Sequence, residues 1–96
     1  MRIPLFVIFD VTSLPDGSIA IGGTDEYLAE GFDVSEGRLR GRTAILLLHG
    51  GRQIETLVNG VAVHTALSGR RNVYLKVPAI SDTASLKGAI VSVELD

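Results

Sequence analysis

Val61-Ala-Val-His-Thr-Ala-Leu67, then Ser68-Gly-Arg-Arg71, then Asn72-Val-Tyr-Leu-Lys-Val-Pro78 is the stretch that decides the fold. In its first segment Val61, Val63, Thr65 and Leu67 occupy one phase, and Ala62, His64 and Ala66 the other. In its last segment Val73, Leu75 and Val77 alternate with Asn72, Tyr74 and Lys76. A period of two is that of a strand with one buried face. A glycine-bearing loop separates the segments, and Pro78 ends the second because it has no N–H to give a ladder.

The pattern continues upstream. Asn59-Gly60 predicts a type I′ turn, whose two central positions need positive φ, pairing a strand over 53–58 with one starting at Val61. Thr43 to Leu48 is a continuous apolar run, the signature of a central strand, and Gly50-Gly51 turns it back. Arg38-Leu-Arg-Gly-Arg42 alternates like an edge strand after a turn at Val34-Ser-Glu-Gly37. Ile3 to Phe9 reads as a buried strand with Pro4 near its start, and Leu14-Pro-Asp-Gly17 as a turn. Ser18 to Ile21 makes a short strand closed by Gly22-Gly23. Thr24 caps a helical turn reaching Glu30, with Gly31 as its stop.

Downstream, Ser81 or Asp82 caps one helical turn ending at Gly88, and Val91, Val93 and Leu95 alternate in a last strand. Short strands separated by turns predict an all-β fold. The expectation is a single domain over residues 1–96: a small antiparallel β-barrel of six to eight strands, with at most two short helical turns. Val61, Val63, Val73, Leu75, Val77, Val91 and Val93 should share one core.

A chain of 96 residues buries roughly 60–65% of its unfolded surface, which supports one modest core. With five aromatic side chains and no cysteine, that core is aliphatic and has no disulfide staple. The absence of cysteine suits a reducing cytoplasm. The longest early apolar stretch, Ile3 to Phe9, is far short of a spanning helix and lacks a cleavage site, so neither a membrane segment nor a signal peptide is expected. Net charge is −2, which argues against a strongly basic nucleic-acid binder. It is unevenly spread: residues 1–36 carry one base and seven acids (−6), residues 37–96 eight bases and four acids (+4). Interleaved strands would mix these charges.

No catalytic apparatus is legible. Leu46-Leu-Leu-His-Gly-Gly51 resembles an esterase oxyanion turn, but no G-x-S-x-G elbow accompanies it. His49 and His64, with no cysteine and no acid cluster near them, do not make a zinc site. The glycines match neither phosphate-loop pattern and read as turn glycines. Asp25-Glu26 are neighbours that point apart on a helical turn. Hence no catalytic, cofactor or metal residues are expected, and no nucleotide.

The most suggestive set is Arg38, Arg40 and Arg42, on one face of a strand at period two, with Arg70 and Arg71 in a later loop. Such a set can contact an acidic protein or phosphates, or it can simply guard a sheet edge against aggregation. The absence of interleaved aromatics favours a protein partner over RNA.

Asp10-Val11, Ser13-Leu14-Pro15, Gly17 and Ile19-Ala-Ile-Gly22 follow one another in an order that resembles domain 2 of the translational GTPases, the β-barrel of elongation factor Tu and its relatives. Val34-Ser-Glu-Gly37, Asn72-Val73, Ile80 and Lys87-Gly88-Ala-Ile-Val91 continue it over most of the chain. Two departures stand out. Pro78-Ala79 occupies the place where the family usually has Gly before that Ile. Gly60-Val61-Ala62 resembles the family's Gly-Val-Glu segment, which helps hold the aminoacyl end of tRNA, but lacks the acid. The nucleotide-binding domain has no counterpart in this sequence. The resemblance implies a barrel used as a docking surface, for a protein or for tRNA or ribosomal RNA.

Overall fold

The computed structural model describes residues 1–24, 26–28 and 32–95. Its elements are β1 (Arg2–Val7), β2 (Asp10–Ser13), β3 (Ile19–Thr24), α1 (Glu36–Leu39), β4 (Thr43–Leu47), β5 (Gln53–Leu57), β6 (Gly60–Thr65), β7 (Arg71–Val77) and β8 (Ile90–Glu94), with tight 3₁₀ turns at His49–Gly51 and Thr83–Ser85. The fold is all-β and antiparallel, as the alternation implies. Its ladders form two four-stranded sheets, in the orders β1-β8-β4-β5 and β2-β3-β7-β6, rather than one closed ring.

The sheets are stitched at two corners. β1 runs on through the buried Ile8 into β2, where the Phe9 amide donates to the Gly22 carbonyl at 3.0 Å. β5 runs on through the buried Val58 into β6, where the Asn59 amide donates to the Lys76 carbonyl at 2.7 Å. Between the sheets lies one aliphatic core. Leu46 opposite Val91 and Ala44 opposite Val93 contribute from one side; Ile21 opposite Leu75 and Ile19 opposite Val77 contribute from the other. In β1 a bulge between Pro4 and Phe6 lets the consecutive Leu5 and Phe6 both turn inward.

β4 is central in its sheet, between β8 and β5, as its continuous apolar run requires. The turn at Leu14–Gly17 closes on a Gly17 amide to Leu14 carbonyl bond of 3.1 Å, with Gly17 at φ +89°. β7 ends at Val77, immediately before Pro78. Asp82 caps the second 3₁₀ turn, its carboxylate accepting from the Ser85 amide at 3.3 Å and from the Ser85 hydroxyl. The charge asymmetry also dissolves: Lys76–Asp16 (2.6 Å), Arg2–Glu94 (3.2 Å) and Arg40–Glu36 (3.5 Å) each join the two halves.

Four expectations are corrected. Asn59-Gly60 is not a hairpin tip: β5 pairs with β4 and β6 with β7, and neither Asn59 nor Gly60 has positive φ. The chain passes there from one sheet to the other, a corner at which small residues suffice. Gly22 and Gly23 do not close β3; they lie inside it, paired to Tyr74 and Val73. Val63 leaves the core, 42% exposed, and Val61 is half-buried against it, while Val73, Leu75, Val77, Val91 and Val93 are fully buried. Arg38-Leu-Arg-Gly-Arg42 is no edge strand, because α1 and its C-terminal turn take up that segment. Of the helical turn expected from Thr24 to Gly31, residues 25 and 29–31 lie outside those described; Thr24 itself ends β3, and residues 26–28 form a turn and a bend.

Candidate functional site

The helical course of residues 36–39 redistributes the five arginines. Leu39 turns inward and is fully buried, which leaves Arg38 and Arg40 outward on different sides of the turn. The Arg38 guanidinium lies over the Phe32 ring, 5.5 Å from its centroid. Arg71, the first residue of β7, donates from Nη1 to the Phe32 carbonyl at 3.3 Å. Arg38 and Arg71 therefore meet on Phe32, although 33 positions apart in the chain. Arg70 stands exposed in the β6–β7 loop, which is closed by an Ala66 amide to Arg70 carbonyl bond of 2.9 Å. Arg40 is tied to Glu36. Arg42 is half-buried, and its backbone bonds to Leu39 and Val58. The face of alternating arginines is thus replaced by Arg38 and Arg71 at Phe32, with Arg70 exposed in the adjoining β6–β7 loop and Arg40 and Arg42 on the helical turn.

Beside this cluster runs β6, an edge strand in its sheet. Gly60 is buried and Val61 half-buried, whereas Ala62, Val63, His64 and Thr65 are all exposed. On the outer face of the same sheet a hollow of about 310 Å³ has Ala20, Gly60 and Ala62 as its small-residue floor, with Tyr74, Lys76 and Glu36 around it. Tyr74 lies flat on Gly22, where any Cβ would meet its ring at 2.4 Å. The Lys76 ammonium is held at Asp16. That contact, followed by the Ser18 hydroxyl and amide, keeps the Asp16 carboxyl well below the usual carboxylate range.

A second hollow, of about 330 Å³, is lined by Leu48, His49, Arg52, Ala84, Ser85 and Lys87, where the β4–β5 turn meets the second 3₁₀ turn. Without a nucleophile the His-Gly-Gly turn carries no catalytic signature in the sequence, and nothing there marks the hollow but the spacing of His49 and Arg52 about two turn glycines; Lys87 could be added only by the fold. The outer face of β1-β8-β4-β5 also carries an apolar row, Val7, Ile90 and Leu47, which ends at Gln53 of β5; the exposed Leu57 lies at the other end of that ladder, opposite Thr43. The unbroken apolar run of β4 encodes it, since alternate residues of such a run must face outward.

Among the described residues no three His, Asp or Glu side chains cluster to hold a metal ion. Among the same residues no helix is long and apolar enough to cross a membrane. No family model, curated protein or solved structure matches the chain.

Proposed function

We propose that this chain is a non-catalytic interaction module that docks an acidic, extended protein segment against Arg38, Arg70 and Arg71 and the outer half of β6. The observation that carries the reading is the meeting of Arg38 and Arg71 on Phe32 beside an exposed sheet edge. The planar fork of arginine pairs bidentately with carboxylates. An edge strand supplies unpaired backbone groups to which an incoming strand can add, while alternate side chains set register. Arg40 and Arg42 flank the cluster through the helical turn. The Phe32 ring packs on the core and carries Arg38 over its face, so it offers no stacking platform for bases, which favours protein over RNA.

The likeness to translational GTPase domain 2 belongs to this reading and implies docking without nucleotide hydrolysis. The segments that carry it fall on β2, the Leu14–Gly17 turn, β3, β7 and the entry to β8, while Val34-Ser-Glu-Gly37 leads into α1 and Ile80 lies in the connection after β7. One observation favours RNA as a second reading: Gly60-Val61-Ala62 lines the hollow that holds Tyr74 and Lys76. The test is an amide NMR titration with a peptide of alternating Glu and Val, and separately with oligouridylate, each at two salt concentrations. The peptide should shift Ala62–Thr65 and Ser68–Asn72, and lose affinity in an Arg38→Ala/Arg70→Ala variant. Oligouridylate binding with a log–log salt slope near −0.7 per phosphate would transfer the reading to RNA. If neither ligand moves these amides, the arginines serve only as edge protection.

A further inference from the structure

We infer that the hollow between the β4–β5 turn and the second 3₁₀ turn is a binding site for a small phosphomonoester, separate from the arginine cluster. Three nitrogen-bearing side chains converge on it from two chain segments: His49 and Arg52 from the turn, Lys87 from the approach to β8. Backbone geometry sets them there. Gly50 and Gly51, at φ +82° and +83°, turn the chain so that the Leu48 amide bonds to the Arg52 carbonyl at 2.8 Å. Gly88, at φ +88°, lets the His49 ring lie close: a Cβ on Gly88 would come within 3.0 Å of Nε2.

Among the described residues no carboxylate lines the hollow. The acid beside it, Asp82, is already engaged by the Ser85 amide and hydroxyl, which hold its carboxyl below the usual range. Asp82 reaches Arg52 through Nη2 alone, at 3.9 Å. That weak tether orients the guanidinium and leaves most of its five donors available. Arg52 as a fork and Lys87 as a point charge suit a phosphoryl group, which offers three strong acceptors. The volume exceeds that of a bare phosphate and lies at the lower end of small-ligand sites. Leu48 and Ala84 add an apolar wall for a short organic group.

The test uses the whole chain. Amide and side-chain NMR signals are followed during titration with inorganic phosphate, with glycerol 2-phosphate, and with sodium chloride at matched ionic strength. Both phosphates should shift Leu48–Arg52 and Ala84–Gly88 saturably, with glycerol 2-phosphate several-fold tighter. Arg52→Ala and Lys87→Ala should each weaken binding about tenfold, the scale of one charge-assisted hydrogen bond. Both side chains are exposed, so these variants keep the fold. Equal shifts with chloride, or binding unchanged in both variants, would overturn the site. Equal affinity for the two phosphates would overturn the assignment to a phosphomonoester.

Discussion

An added methyl at Gly23 would lie 2.3 Å from the Val7 carbonyl oxygen and 2.6 Å from the Phe6 ring. The first obstacle is backbone, so it cannot swing aside as a flexible side chain could. At Gly23 β3 lies against β1, and its lack of a side chain lets the sheets close on each other there. Gly23→Ala should therefore destabilise by about 1–3 kcal/mol or more, as overpacking does. Gly37 provides the contrast: it sits in α1 without positive φ and with open space where a Cβ would go. Gly37→Ala should stabilise by about 0.4–1 kcal/mol by restricting the unfolded chain. Urea denaturation of the two variants checks both signs. Asp16 yields a pH prediction. Its folded pKa is depressed by Lys76 first and Ser18 next, so its contribution is present above its ordinary value of 3.8 and fades as pH falls below it. Between about pH 5 and pH 2 the stability of Asp16→Asn should fall less steeply than that of the parent. An unchanged slope would show that the exposed Asp16–Lys76 contact is screened away in solution.

Strands β6 and β7 pair residue for residue, yet the same apolar phase has different fates on the two. Val63 lies directly opposite Val73, and Val73 is fully buried while Val63 is 42% exposed. Alternation reports which face a side chain takes; it does not report whether the far half of an edge strand still has a core to face. Leu75→Ala should cost about 2–5 kcal/mol, whereas Val63→Ala should stay within about 0.5 kcal/mol. Thermal melts separate these easily, and a large loss at Val63 would mean that the outer half of β6 is covered in solution. The same limit explains the arginines. Arg38-Leu-Arg-Gly-Arg42 shows a strand period only because its one apolar residue, Leu39, sits between charges. Five residues cannot distinguish period two from a single helical turn, and burial of Leu39 beneath α1 decides the matter. Asn59-Gly60 failed differently: the dipeptide favours a tight turn, but the pairing of β5 with β4 and of β6 with β7 leaves the two strands it joins in different sheets.

At the scale of the molecule, most of the strands other than β2, the antiparallel class and the core positions Val73, Leu75, Val77, Val91 and Val93 could be read from local patterning, because that depends on neighbours close in sequence. The division into two sheets, the meeting of Arg38 with Arg71, and the hollow of His49, Arg52 and Lys87 could not, because each depends on contacts between distant segments. Those contacts also make the two sheets one cooperative unit. The Cα radius of gyration is 12.4 Å, against about 12.5 Å expected for a compact chain of this length. Neither sheet can bury its inner face alone: Leu46, Val91 and Val93 of one share a single cluster with Ile21, Leu75 and Val77 of the other. The strand corners at Ile8–Phe9 and Val58–Asn59 bind the sheets covalently as well as by packing. Unfolding should then be two-state. In a Tyr27→Phe background the emission of Tyr74 reports on β2-β3-β7-β6, while far-ultraviolet circular dichroism reports on both sheets. The two urea transitions should coincide in midpoint and slope. A Tyr74 transition that precedes the dichroism change would mean that β2-β3-β7-β6 melts first. The edge of β6 proposed for docking would then belong to a separately unfolding layer, and a partner bound there would stabilise that layer rather than the whole chain.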